Sequence, residues 1–162
     1  MDKSLTVFFD SENLYREFLS VCKLNGNKIT AIQSAEKCRL YCGHLLIVCC
    51  KNTKKLPEII SPCDVTVILD SECRLILREN EAENYKFITC GYSSKDSVTL
   101  SSITNEKSVV SIQRGFINFN GNRVEPMDLV IDCNYRNCGN MLPIVTAQLF
   151  CCDKLDLDNS LV

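Results

Sequence analysis

Three stretches of this chain carry residue types whose spacing could do chemistry. In FITCGYSSKDSVTLSSI, residues 87–103, Gly91 ends an apolar run and hydroxyls and Lys95 follow, the ingredients of a loop that holds phosphate. In VFFDSENLYREF, residues 7–18, Asp10 ends an apolar run with Glu12 and Asn13 close behind, so a carboxylate could face a divalent metal ion. In CNYRNCGNMLPIVTAQLFCCDKLDLD, residues 133–158, Arg136, Asn137 and Asn140 precede a long apolar run, and what they could do rests on a family resemblance given below.

The phosphate loop does not survive its own requirements. A Walker loop needs two glycines bracketing four residues, then Lys and Ser or Thr, so that successive N–H groups point at the phosphates. Here a single glycine is present, Lys95 stands at the wrong spacing, and Asp96 adds negative charge. A strand is expected next, so no helix N-terminus assists an anion. A metal site built on Cys38-x-x-x-Cys42-x-His44 fares no better, because structural zinc takes four ligands in two close pairs and no C-x-x-C supplies the second. The twelve cysteines, several inside apolar runs such as HLLIVCC and QLFCC, are therefore read as reduced core thiols.

These residues must be positioned by elements that the hydrophobic pattern predicts. Residues 4–10 form a buried strand, and Asp10 or Ser11 caps the helix whose apolar stripe is Leu14, Phe18, Val21 and Cys22. KITAIQS is a second strand, AEKCRLYCG a short helix stopped by Gly43, and HLLIVCC a buried strand. KNTKKLPEIISP is a basic connector with a short helical turn, and DVTVILD, residues 64–70, is a further strand. Strand–helix alternation of this kind predicts a parallel sheet with helices against it. Beyond residue 92 the runs SVTLSSI, SVVSIQRGFINF and RVEPMDLVI alternate apolar and polar residues, and Asn120-Gly121 between two of them signals a hairpin. MLPIVTAQLFCC closes the pattern as an apolar helix with Pro143 in its first turn. The fold class expected is α/β: a largely parallel sheet flanked by helices, continuing into an antiparallel meander and a C-terminal helix, in a single domain over 1–162.

Two family resemblances attach to these stretches. Asp10 with Asn13 three residues on resembles the opening of the PIN/NYN nucleases, which implies a cluster of acidic side chains around divalent metal; Asp10, Asp70 and Asp132 all fall at expected strand ends. The third stretch resembles the Mur ligase segment G-x-H-N-x-x-N-x-L-A-A-I-A, with Asn137 and Asn140 on the two asparagines and Leu142, Val145 and Ala147 on the apolar positions. DVTVILDSE is similar to the strand that ends in Asn-x-Asp-Asp in that family's central domain, and FITCGYSSKDSVTLSSI to its strand–Gly turn, so the likeness covers about residues 64–158. It makes Gly91 a turn from parallel sheet into meander, and Arg136, Asn137 and Asn140 the ligand-binding positions; the residues themselves equally fit Asn137 and Asn140 as caps of the final helix. The family's phosphate loop is missing, and Arg136 stands where the family has His. A reduced, non-catalytic Mur-like binding or accessory protein linked to bacterial cell-envelope metabolism is the function this implies.

Composition bounds the partners. With 18 Lys and Arg against 20 Asp and Glu, the net charge of −2 gives nucleic acid no general attraction. No segment reaches the roughly 18 apolar residues of a membrane span, and the N-terminus lacks a signal-peptide run, so a cytoplasmic protein is expected. No cofactor is implied. The partner is a protein or small molecule, or a second copy docking on an open edge of the meander.

Overall fold

In a computed structural model, the structure describes residues 4–22, 29–33, 43–59, 63–104, 106–132 and 141–152, with the side chain of Asp132 outside this set. The elements are β1 (Leu5–Phe9), α1 (Glu12–Val21), β2 (Ile29–Ile32), β3 (His44–Cys49), β4 (Asp64–Asp70), α2 (Glu79–Asn84), β5 (Lys86–Gly91) and β6 (Val98–Ile103), then β7 (Lys107–Ile112), β8 (Phe116–Ile117), β9 (Arg123–Val124), β10 (Met127–Asp132) and α3 (Met141–Cys151). The expected α/β architecture is present. One eight-stranded sheet runs β10-β7-β6-β5-β4-β3-β1-β2, and β8 with β9 forms a separate antiparallel pair.

From β2 to β6 every pairing is parallel. Buried β-branched and aromatic residues on both sides of β1, β3 and β4 explain this, since a parallel sheet must be covered on both faces. One face carries Leu5, Val7, Phe9, Leu46, Val48, Ile68 and Cys90 against α1 and α3. The opposite face carries Phe8, Leu45, Ile47, Cys49 and Val67 against Leu56, Leu75 and Tyr85 from the loops after β3 and β4.

α3 is apolar on all sides, and every residue from Leu142 to Cys151 is buried. Such a helix must lie inside the protein, and it packs on β3 to β6 and on α1. Its polar groups are satisfied locally: Thr146 Oγ1 donates to Leu142 O at 2.7 Å, and Gln148 Nε2 donates to Val21 O at 2.9 Å. His44 lies at the amino end of β3, its Nε2 2.9 Å from Thr66 Oγ1 and its ring against Phe119 and Phe150. It is half-buried at the edge of the core; Cys38 and Cys42 lie outside the described residues.

The meander departs from expectation in one respect. β6, β7 and β10 do form an antiparallel extension of the sheet. The Asn-Gly turn, with Gly121 at φ +86°, instead closes the two-residue strands β8 and β9, which leave the main sheet as a side hairpin. Gly115 on one side and Pro126 on the other interrupt the alternating runs, which is where the strands break. α2 has too few apolar residues to show a helical period and carries no sequence signal; Arg78 N donates to Glu81 Oε2 at 2.9 Å at its start. The helical turn expected in the basic connector is a tight turn at Lys51–Asn52. No described helix is long and apolar enough to cross a membrane.

Candidate functional site

The strand order reverses at β1, which has β2 on one side and β3 on the other. In open α/β sheets such a switch point opens a crevice at the carboxyl ends of the strands, because the outgoing chains leave toward opposite faces. That is the geometry here. After β1 the chain enters α1 on one face, whereas after β3 it runs to Leu56 on the other.

Asp10 spans the divide. Its Oδ2 accepts a hydrogen bond from Thr53 Oγ1 and lies 3.8 Å from Cys50 Sγ, while its Oδ1 is buried with no hydrogen-bond partner. Asp10 is therefore not a helix cap. Ser11 occupies the cap position of α1 through its carbonyl, 3.0 Å from Tyr15 N, and its side chain makes no capping bond. Thr53 Oγ1 also accepts Cys50 N at 3.0 Å, so the turn 50–53 is closed on itself and on β1.

The loop after β4 is pinned to this turn. Cys73 Sγ donates to Thr53 O at 3.0 Å, Ile76 N donates to Lys54 O at 3.0 Å, and Lys51 Nζ meets Glu72 Oε2 at 2.6 Å. Between the two loops lies an open cleft of about 610 Å³ lined by Lys51, Asn52, Thr53, Lys54, Glu72 and Arg74. Three cations face one carboxylate, in a protein whose net charge is −2. The hydrogen bond to Glu72 raises the Lys51 pKa, which keeps that ammonium charged.

Asp70 sits on the same edge, buried, with its Oδ1 accepting Glu72 N at 2.9 Å. Asp10 is level with Leu69, two strands from β4, which puts its Cα about 10 Å from that of Asp70. Asp132 is elsewhere. Asp70 is level with Cys90, Val98, Ile112 and Met127, and Asp132 lies five residues further along β10 and four strands across. Those steps put its backbone on the order of 25 Å from Asp70. The sheet thus brings Asp10 and Asp70 to one edge and carries Asp132 away, so the three carboxylates do not form one cluster. Among the described residues no group of three His, Cys, Asp or Glu is placed to hold a metal ion. Arg136, Asn137 and Asn140 lie outside the described residues.

Gly91 ends β5 beside this edge, and its role differs from a turn. Its φ is not positive, but a Cβ there would stand 2.1 Å from Ser71 Oγ and 2.5 Å from Asp96 Oδ2. The glycine admits the Ser71 hydroxyl, which lies 3.1 Å from Asp96 Oδ2; that buried carboxylate also accepts Ser93 N at 3.0 Å. Lys95 is exposed.

The described cysteines are all free thiols. Burial pushes the Cys49 thiol well up, with the charges of Asp10 and Cys73 adding to it, and pushes Cys90 up to about 12. Cys73 is raised by burial and then by Cys50, Asp10 and Asp70. None of these is a thiolate near neutral pH, so none is a nucleophile there.

The cleft residues had no motif of their own. Their signal is a basic run, KNTKK, directly after a buried strand, and it acquires meaning only once β3 is known to flank the switch point. Compared with protein-family models, with curated proteins and with solved structures, the chain matches none.

Proposed function

We propose that the chain is a cytoplasmic, non-catalytic binding protein that holds an anionic ligand at the carboxyl edge of its parallel sheet. One observation carries this reading: the switch-point cleft is lined by Lys51, Lys54 and Arg74 against the single carboxylate of Glu72. Its two walls are tied together by three contacts, so little ordering is needed when a ligand enters. Free thiols fit a reducing compartment. The resemblance to Mur ligase central domains adds an accessory role in bacterial cell-envelope metabolism, with UDP-linked muramyl precursors among the anions to try. It is supported by the order of β4 ending at Asp70, β5 ending at Gly91, the antiparallel strands and α3.

The test is a thermal-shift titration with inorganic pyrophosphate and UDP-linked muramyl precursors, each with and without Mg²⁺. A ligand that binds the folded state alone raises the melting temperature by mass action. The double variant Lys54→Ala, Arg74→Ala loses two charge-assisted bonds, so its affinity falls at least about ten-fold while its unliganded melting temperature stays put. Both side chains are exposed, which is why stability is spared. No shift with any anion, or an equal shift in the double variant, would exclude the reading.

A second reading has its own observation. β10 is the outermost strand, no described strand pairs with its outer edge, and Met127 and Val130 are 43% and 52% exposed. A second copy adding strand to strand would cover them. Sedimentation should then show a dimer that Val130→Lys dissociates; a parent protein monomeric from micromolar to millimolar concentration removes this possibility.

A further inference from the structure

We infer that the ligand of the cleft is a nucleotide, its phosphate taken by Lys54 and Arg74 and its base stacked on Tyr92. This rests on the anion-binding reading above and adds the aromatic half of the ligand. Tyr92 follows the last residue of β5, on the same carboxyl edge as the cleft, and is 66% exposed. A single exposed ring is ordinary on a protein surface, and what sets this one apart is the lysine of the cleft beside it.

The ring is not on a loose loop. Asp96 accepts from Ser71 Oγ and Ser93 N, Asp96 N donates to Ser93 O at 3.0 Å, and Ser97 N donates to Thr89 Oγ1 at 3.1 Å. Lys51 joins ring to cleft: its Nζ lies 5.8 Å from the Tyr92 centroid and 2.6 Å from Glu72, while the residue itself lines the cleft. Cleft and ring thus share the Lys51 side chain, which lines one and stands beside the other.

The combination selects the ligand class. A simple phosphate needs no aromatic ring, and an apolar ligand needs no cations. A base linked to phosphate uses both, because stacking on an aromatic side chain and charge-assisted bonds to phosphate are separate sources of affinity. Glu72, at the cleft wall, is an acceptor for a ribose hydroxyl. Stacking tolerates any base, so the same chemistry could be presented by a free nucleotide or by one residue of a short single strand.

Equilibrium binding to the full chain would compare pyrophosphate, ADP and a short oligouridylate. Either nucleotide probe should bind about ten-fold or more tightly than pyrophosphate, with the tighter of the two naming the source. Tyr92→Ala should lose that advantage and leave pyrophosphate binding unchanged, whereas Tyr92→Phe should keep it. If pyrophosphate binds, ADP and the oligonucleotide bind no better, and Tyr92→Ala changes nothing, the stacking platform is overturned and the anion site stands. If no probe binds, both fall together.

Discussion

Replacing Gly91 by alanine should lower the melting temperature by about 5–15 °C, equivalent to roughly 2–4 kcal/mol in a chain of this length. The added methyl would meet Ser71 Oγ at 2.1 Å and Asp96 Oδ2 at 2.5 Å. Ser71 can rotate away, but only by giving up its bond to Asp96. Asp96 is buried, and a buried carboxylate that keeps its bond from Ser93 N but loses the one from Ser71 bears part of its desolvation uncompensated. The strain therefore cannot be discharged cheaply on either side. Ser71→Ala removes the closer contact, so the double variant Ser71→Ala, Gly91→Ala should be less destabilised than the sum of the two single changes. Urea unfolding of the four proteins gives this coupling directly. A Gly91→Ala protein within half a kcal/mol of the parent, the range of ordinary surface substitutions, would mean that the loop after β5 yields and that the Ser71–Asp96 contact holds nothing.

Gly91 also marks the border between what could be read in the sequence and what could not. That glycine ends a strand is visible in FITCG, because the apolar run and its stop are local. That it is needed for its missing side chain, rather than for a turn, depends on Ser71 and Asp96, brought in by β4 and the loop before β6. The same division holds elsewhere. The buried strands β1, β3 and β4, the α1 stripe of Leu14 and Phe18, the all-apolar α3 and the Asn120-Gly121 turn are written in periodicity and turn chemistry. Strand order is not, because it is fixed by pairings between distant residues such as Leu5 with both Ile29 and His44. Without that order nothing marks residues 51–54 and 72–74 as two walls of one cleft. Asp10 could be placed at a strand end, but its choice of Thr53 over the α1 N-terminus is a tertiary event. Asp132 could likewise be placed at a strand end, and only the register of β10 on β7 shows how far that end is from Asp70.

The buried thiols make a second strong expectation, a steep loss of stability in alkali. Burial raises the Cys49, Cys90 and Cys151 thiols above the ordinary value of 9.0, Cys90 to about 12. The direction follows from linkage. Below pH 9 these groups keep their protons whether the chain is folded or not, and their contribution is fully present. Above it the unfolded chain releases protons that the folded chain retains, so the unfolded state gains, and the loss continues until pH passes the folded pKa values. Each thiol costs about 1.4 kcal/mol per pH unit in that window, so three together remove roughly 4 kcal/mol per unit, against a total stability of ~5–15 kcal/mol. Unfolding should therefore set in about two pH units above 9, accompanied by a rise in thiolate ultraviolet absorbance. Cys90→Ala is the informative variant. It loses the 3.3 Å contact with Thr146 and starts from a lower stability at neutral pH, yet its stability should fall less steeply with pH by one thiol's share. Asp10→Asn acts on the same quantity from the cleft side: it removes one of the charges that raise Cys49, so that thiol should titrate lower. A melting temperature that stays level between pH 9 and 12 would show that these thiols reach water in the folded chain, and the close packing of Cys90 and Cys151 between β5 and α3 and of Cys49 on the opposite face would have to be abandoned with it.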